Sequence, residues 1–231
     1  MLEPHSERSL TRTDFDAIIF DNDGVLVDSE RIHIEVELQL LKELGLDYAY
    51  EDYLSRFVGL SSPDFHAQLS QDHQSRLGRP FPSDFDETLT GRIWPRMEAE
   101  LDALPGIADL IDRAAKPVAV ASSAPPERLN RKLVLTGLHA LFAPHIYSAQ
   151  QVEHGKPAPD LFLFAAQQLG VRPERCVVIE DSVNGVRAGR SAGMIVIGFV
   201  GGGHADADLA QRLLAAGADM ISAAHETLLQ D

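Results

Sequence analysis

Two aspartates stand two residues apart directly after the first apolar run of this sequence. The run is Ala17–Phe20, and Asp21, Asn22, Asp23 and Gly24 follow it. In an open α/β sheet, ligands bind beyond the carboxyl ends of the strands, where this turn is expected. One carboxylate could attack phosphorus while the other exchanges a proton with the leaving oxygen and later with water. Asp, Asn and Gly are also common residues of solvated turns, so the pair alone does not decide between the two readings.

Ser122 and Lys156 are the next residues that could do chemistry. Ser122 ends a second apolar run, and its hydroxyl, helped by the backbone amide of Ser123, could donate to a phosphate oxygen; the alternative is a helix N-cap. The proline after Lys156 restricts the lysine backbone to extended geometry. Its charge could offset the repulsion between Asp21 and a dianion, although an exposed surface lysine is the more common case.

Glu180 and Asp181 follow a third apolar run and could contribute to a cation site. Carboxylate oxygens, carbonyl oxygens and water are the ligands that Mg²⁺ prefers. The alternative is that both acids are favoured here because a helix begins after them, and acids stabilise a helix N-terminus. The two explanations are compatible with each other.

These stretches resemble, in order, the four motifs of the haloacid dehalogenase superfamily, in its β-phosphoglucomutase-like and sugar-phosphatase branch. The resemblance rests on residues 20–30 (FDNDGVLVDSE) for the first motif, 120–123 (VASS) for the second, 155–160 (GKPAPD) for the third and 178–185 (VIEDSVNG) for the fourth. It extends from about residue 15 to residue 198 and is weaker between the first and second motifs.

The resemblance implies a Mg²⁺-dependent phosphohydrolase that acts on a small phosphate monoester, such as a sugar or sugar-acid phosphate, through an aspartyl-phosphate. Asp21 is then the nucleophile, Asp23 the acid and base, and Lys156 the charge beside them. The implied metal ligands are the Asp21 carboxylate, the Asp23 backbone carbonyl and Asp181, with Glu180 orienting a bound water or binding directly. The residues expected to contact the substrate or its phosphate are Asn22, Ser122, Ser123, Lys156 and His33.

The elements that must position these residues follow an α/β pattern. Strand-like runs occupy residues 17–20, 118–121, 177–179 and 195–197, and helical patterns between them end at Gly137, Gly170 and Gly193, where a C-terminal glycine is expected. This alternation predicts a Rossmann-like parallel sheet with helices on both faces. Residues 29–101 contain no comparable strand run. We therefore predict a core of residues 1–28 and 102–231 and a helical insert of residues 29–101 that acts as a lid.

Composition narrows the classes of partner. A formal net charge of −15 disfavours nucleic acid and anionic lipid, and no apolar run is long enough to span a membrane. Residues 1–12 lack the apolar stretch of a secretory signal. The single cysteine, Cys176, excludes an intrachain disulfide and is expected to be a buried small hydrophobe in a strand. We expect a cytoplasmic monomer that binds a small phosphorylated molecule.

Several alternatives stay open. A β-phosphoglucomutase-like mutase would use the same core, but Ser62 stands where that group has a phosphate-holding arginine; Arg56, Arg92 or Arg96 could replace it. A non-catalytic protein that binds a phosphorylated metabolite is the alternative of another class. Dehalogenation is disfavoured by Asp23, and a phosphonate-cleaving Schiff base by the presence of only Lys42 in the insert. Glycines 201–203 lack the rest of a phosphate-binding motif and are expected to form a flexible loop.

Overall fold

A six-stranded parallel sheet forms the centre of the molecule. The structure is a computed structural model that describes residues 10–57, 60 and 62–229. The strands lie in the order β3-β2-β1-β4-β5-β6. Their bounds are Ala17–Phe20 (β1), Val118–Ser122 (β2), Ile146–Ser148 (β3), Cys176–Glu180 (β4), Ile195–Phe199 (β5) and Met220–Ser222 (β6). The predicted Rossmann-like α/β fold is confirmed.

The strand order brings the predicted site residues together at the carboxyl ends of neighbouring strands. From β1 the chain moves outward to β2 and β3, and it then returns to the other side of β1 for β4. The order therefore changes direction beside β1, and such a switch point opens a crevice at the carboxyl ends of the strands. Ser122 ends β2, Asp21 follows β1 and Glu180 ends β4, so parallel pairing alone makes these residues neighbours.

The helices of the sheet-forming part match the predicted pattern closely. Their bounds are Ile107–Ala114 (α5), Pro126–Leu135 (α6), His139–Phe142 (α7), Asp160–Leu169 (α8), Val183–Ser191 (α9) and Leu209–Ala216 (α10). Gly137, Gly170 and Gly193 follow three of them with positive φ, as expected of helix ends. The sequence analysis missed β3 and β6, which have three residues each and lie at the two edges of the sheet.

The core packs helices α8, α9 and α10 against the sheet. Phe162 of α8, Val178 of β4 and Val186 of α9 are fully buried in one cluster. Each such side chain contributes on the order of 1.5–3 kcal/mol when it leaves water. Cys176 is fully buried, and burial raises the pKa of its thiol to about 11, which accords with the predicted role as a small hydrophobe. The cluster fixes the strands whose ends carry the polar residues.

The chain divides into two compact units, residues 1–30 with 101–231 and residues 31–100. Where the chain leaves and re-enters the first unit its two segments lie side by side, since the Leu104 amide donates to the Leu26 carbonyl at 2.9 Å. The predicted insert, residues 29–101, covers nearly the same stretch as the second unit. Its role as a lid stays a prediction.

The second unit is helical and has its own aromatic core. Its helices are Ser29–Glu43 (α1, which begins in the first unit), Tyr50–Phe57 (α2), Ser62–Leu77 (α3) and Phe85–Glu100 (α4). Tyr53 and Phe57 stack with ring centroids 5.2 Å apart, and Tyr48 meets Phe57 edge-on at 5.2 Å. Of the stretch compared with the mutase loop, Val58, Gly59, Ser61 and the side chain of Ser62 lie outside the described residues, as does most of the expected polar lead-in.

Within the described ranges, no helix combines the length and the apolar composition that crossing a bilayer requires.

Glu37 provides a test of packing in the second unit. Burial raises the pKa of its carboxyl from 4.5 to about 6, although the Tyr53 hydroxyl donates to it. The folded state therefore holds a proton that the unfolded state loses, and stability falls as pH rises from about 4.5 to about 6. At pH values above that window the free energy of unfolding is lower by about 2 kcal/mol. Glu37→Gln should remove this dependence and stabilise the unit by about 2 kcal/mol at pH 8.

The measurement is denaturant unfolding from about pH 4 to about pH 8, a range that brackets the titration window. Unfolding is followed through Trp94, the single tryptophan, which lies in α4. Glu35→Gln is the matched control, because Glu35 bonds Arg96 at 2.7 Å and its pKa is lowered. That variant should show no gain at pH 8. Parallel pH curves for the wild type and Glu37→Gln would contradict the buried-acid assignment.

Candidate active site

Lys156 joins the carboxylate that follows β1 and the carboxylate that ends β4. Its Nζ lies 2.5 Å from Asp21 Oδ1, 2.7 Å from Glu180 Oε1 and 2.9 Å from the Ala121 carbonyl oxygen. The lysine side chain is 4% exposed, so these three acceptors replace its hydration. No hydrogen bond from the described residues reaches Asp21 Oδ2. Lys156 thus holds one oxygen of Asp21 and leaves the other open to a ligand.

Glu180 is fully engaged by protein groups. Oε1 accepts from Lys156, and Oε2 accepts from the Ser182 amide at 2.8 Å and from its hydroxyl at 2.9 Å. Ser182 is also the N-cap of α9, because its side chain accepts from the Gly185 amide at 3.0 Å. The predicted explanation by a helix start agrees with this arrangement, in which Glu180 holds Ser182 at the beginning of α9 and also orients Lys156. Its predicted part in metal binding stays a prediction.

A second buried lysine, which the sequence analysis missed, holds Asp23. Lys132 of α6 forms an ion pair with Asp23 Oδ1, and the Ser29 hydroxyl donates to the same oxygen. The Lys132 side chain is 7% exposed, whereas that of Asp23 is 24% exposed and reaches water. One signal for Lys132 was present: it lies three residues after Leu129 and one before Leu133, on the buried side of a helix.

Asp181 lies against the turn of the first motif. Gly24 has φ +77°, and a side chain there would overlap the Asp181 carboxylate, so glycine is required both by conformation and by space. Asp181 Oδ2 lies 3.1 Å from Nε2 of His204, a residue that the sequence analysis did not select. The approach brings the carboxylates of the first and fourth motifs into one cluster.

The cluster carries an excess of buried negative charge. Burial raises the pKa of Asp21; Lys156 lowers it, but Glu180, Asp181 and Asp23 raise it further, and the balance lies well above the usual value. Burial likewise raises the pKa of Asp181 to about 6. Asp23 differs: burial would raise its pKa, but Lys132 and Ser29 outweigh burial and lower it.

This donor set fits Mg²⁺. Asp21 and Asp181 are buried oxygen donors whose mutual repulsion a divalent cation would relieve. In the part of the chain that the structure describes, no three Asp, Glu, His or Cys side chains form a ready-made metal cluster. Mg²⁺ commonly takes one or two carboxylates and keeps several waters, which two acids can satisfy.

The structure locates the remaining predicted contacts as follows. Ser122 is 2% exposed at the end of β2, and its Oγ accepts from the Ala124 amide at 3.1 Å. It is not the N-cap of α6, because that position is Pro125. Asn22 is fully buried and Ser123 is exposed beside the site. His33 is half-buried on α1 in the second unit, and its contact with a substrate stays a prediction.

Lys132→Met provides a test of the second lysine. It should destabilise the protein by about 1.5–3 kcal/mol, because the largely buried Asp23 carboxylate loses its charged partner. In an Asp23→Asn background the same change should cost clearly less, and this double-mutant cycle isolates the pair. Chemical denaturation followed by circular dichroism is the measurement, since Trp94 reports on the other unit. Equal costs in the two backgrounds would show that the pair contributes no stability.

Comparison with known proteins agrees with this geometry. The family model described as haloacid dehalogenase-like hydrolase matches residues 15–193. The chain is 27% identical to the 6-phosphogluconate phosphatase of Escherichia coli over 189 residues, covering 82% of this chain and 84% of that protein. It is 33% identical to the Hexitol phosphatase B of Escherichia coli over 181 residues, covering 77% and 80%.

A solved structure extends the similarity to three dimensions. A HAD family hydrolase from Deinococcus radiodurans R1, solved with bound phosphate and sodium, is 40% identical, covers 92% of both chains and superposes with a TM-score of 0.79. The predicted resemblance and the prediction that the chain is an enzyme are confirmed. Asp21, Lys156 and Asp181 lie together at the carboxyl ends of the parallel strands, as the predicted motifs require. Because the family model matches most of its length, the chain belongs to the haloacid dehalogenase-like hydrolase family.

Proposed function

We propose that this protein is a Mg²⁺-dependent phosphatase of small phosphate monoesters, most plainly sugar or sugar-acid phosphates. The observation that carries the proposal is the ion pair of Lys156 with one oxygen of Asp21, which leaves the other oxygen without a hydrogen bond from the described residues. The substrate class is supported by the relatives, since one is named for 6-phosphogluconate and another for hexitol phosphates. That the Deinococcus radiodurans relative was solved with bound phosphate supports a phosphorylated substrate.

Asp21 performs the first half of the reaction. Its open oxygen attacks phosphorus, the bond between phosphorus and the ester oxygen breaks, and an aspartyl-phosphate forms. Lys156 remains beside the reacting group and offsets the repulsion between carboxylate and phosphate. We expect the Ser122 hydroxyl and the Ser123 amide to donate to phosphate oxygens; the burial of Ser122 at the end of β2 supports this role. When bound, Mg²⁺ would be held by Asp21, Asp181 and the Asp23 carbonyl and would stabilise negative charge on the phosphoryl group.

Asp23 manages the proton in both halves. It gives a proton to the departing alkoxide, and it later takes one from the water that attacks the aspartyl-phosphate, so that phosphate leaves and Asp21 is restored. Lys132 and Ser29 favour the ionised form of Asp23, which suits the second half. For the first half Asp23 must carry a proton, and its partial exposure gives that proton a path from water.

The ion pairs of Arg56, Arg92 and Arg96 favour hydrolysis over a mutase reaction. A mutase needs a cation for a second phosphate, and Ser62 replaces the expected arginine. Each of the three alternatives already binds a carboxylate of the second unit: Arg56 binds Asp72 at 2.7 Å, Arg92 binds Glu43 at 2.8 Å and Arg96 binds Glu100 at 2.6 Å. Their charges are therefore engaged within the unit.

The first test is phosphate release from a panel that includes 6-phosphogluconate and hexitol phosphates, with Mg²⁺ or with EDTA. The wild type should release phosphate only with Mg²⁺. Asp21→Asn should fold normally, as judged by circular dichroism, and should lose turnover to background because an amide is a poor nucleophile. Normal turnover by Asp21→Asn would overturn the nucleophile.

The same panel separates the alternatives. Conversion of β-glucose 1-phosphate to glucose 6-phosphate with little free phosphate would establish the mutase. Absence of any Mg²⁺-dependent turnover across the panel would favour the non-catalytic protein.

Asp23→Asn tests the proton-transfer role. We expect kcat on alkyl phosphates to fall by about 10²–10⁴-fold, because the leaving alkoxide loses its acid. The aryloxide of an aryl phosphate is a good leaving group and departs without a proton. The variant should therefore still transfer the phosphoryl group to Asp21 and then fail to hydrolyse the aspartyl-phosphate. Intact-protein mass spectrometry should detect the added phosphoryl group on the single variant Asp23→Asn. It should not detect the group on the double variant that carries both Asp21→Asn and Asp23→Asn. Equal loss on alkyl and aryl substrates, without the added group, would remove the acid–base assignment.

A further inference from the structure

The glycines after β5 pack against the first-motif turn. The sequence analysis expected residues 201–203 to be a flexible loop, yet Gly202 is buried. A Cβ atom on Gly202 would lie 2.8 Å from the Gly24 carbonyl oxygen, so only glycine permits this approach without movement of the backbone. The Gly203 amide donates to Asp28 Oδ1 at 3.2 Å. The loop is thus held at both the beginning and the end of residues 24–28.

This packing carries His204 to the candidate metal ligands. Its side chain is 10% exposed, and Nε2 lies 3.1 Å from Oδ2 of Asp181, whose side chain is 9% exposed. The other ring nitrogen, Nδ1, is buried with no hydrogen-bond partner among the described residues. The contact of the ring with the carboxylate therefore runs through Nε2, and this nitrogen can donate to Oδ2 when it carries the ring proton.

We propose that His204 is a positioning residue that orients Asp181 for the divalent cation. By donating to Oδ2 it fixes the carboxylate and leaves Oδ1, which receives no hydrogen bond from the described residues, as the oxygen for the metal. A residue that hydrogen-bonds to a metal ligand in this way changes the affinity for the metal without binding the metal itself. The inference rests on the proposed function, because it needs the cation that the phosphatase would use.

A merely structural ion pair would behave differently. The pair of His204 and Asp181 could stabilise the fold alone, in which case its loss would lower the free energy of unfolding and leave metal affinity unchanged. A positioning role instead requires that metal affinity follow the hydrogen bond to Oδ2. Gln can present an amide N–H near the place of Nε2, whereas Ala cannot, so the two substitutions separate loss of the donor from loss of the ring.

The experiment measures Mn²⁺ binding by the full-length protein without substrate, using the electron paramagnetic resonance signal of free Mn²⁺, with Mg²⁺ as competitor. His204→Ala should bind Mn²⁺ about 10–100-fold more weakly than the wild type. His204→Gln should recover most of that loss. The matched control is His145→Ala, because His145 is also half-buried and bonded to a side chain, Tyr147 at 2.8 Å, but precedes β3 at the opposite edge of the sheet; its affinity should not change.

The outcomes separate the two proposals. If the wild type binds neither Mn²⁺ nor Mg²⁺, the metal-dependent function fails and the role of His204 fails with it. If the wild type binds and His204→Ala binds equally well, the function stands and only the positioning role is overturned. Circular dichroism and the free energy of unfolding of each variant confirm that affinities are compared between folded proteins, and His204→Gln serves if the alanine variant does not fold.

Discussion

The carboxylates at the carboxyl ends of β1 and β4 repel one another, and the rest of the first unit is arranged around this constraint. Because β1 and β4 are parallel neighbours, the acids at their carboxyl ends lie close together: Asp21 and Asp23 follow β1, Glu180 ends β4 and Asp181 follows it. Buried like charges raise one another's pKa and would favour protonation or unfolding if nothing opposed them. The fold opposes them with buried cations from elsewhere in the chain.

The two lysines divide this work. Lys156 binds Asp21 and Glu180, and Lys132 binds Asp23, so the residue proposed as nucleophile and the residue proposed as acid and base have separate partners. Separate partners allow the pKa values of the two aspartates to move in opposite directions, upward for Asp21 and downward for Asp23. Pairs of acids whose environments differ in this way are characteristic of sites that divide a reaction between two carboxylates.

Close backbone packing makes the arrangement compact. Gly24 leaves room for Asp181, and Gly202 lets the loop after β5 reach the same turn. The strands β2, β1, β4 and β5 therefore all contribute at their carboxyl ends, through Ser122, Asp21, Asp181 and the loop that carries His204. Functional groups carried at the ends of packed strands are positioned more precisely than groups on loops.

The family, the sheet-forming runs and the main acids of the site could be predicted from the sequence, because each lies in a contiguous pattern. That pattern is an apolar run, then a carboxylate, then a glycine or a helix start. The sequence also indicated Lys156, which stands in a short motif. It could not indicate β3 and β6, since three-residue edge strands need only one neighbour and leave little periodic signal.

The partners of those acids became visible only in the folded chain. Lys132 is 109 residues from Asp23 along the chain, and His204 follows a glycine loop with no motif of its own. Their roles depend on which helix face is buried and on how closely two loops approach, and neither is written in local spacing. Local pattern thus fixed which groups carry the charge, and packing over long separations decided what balances it.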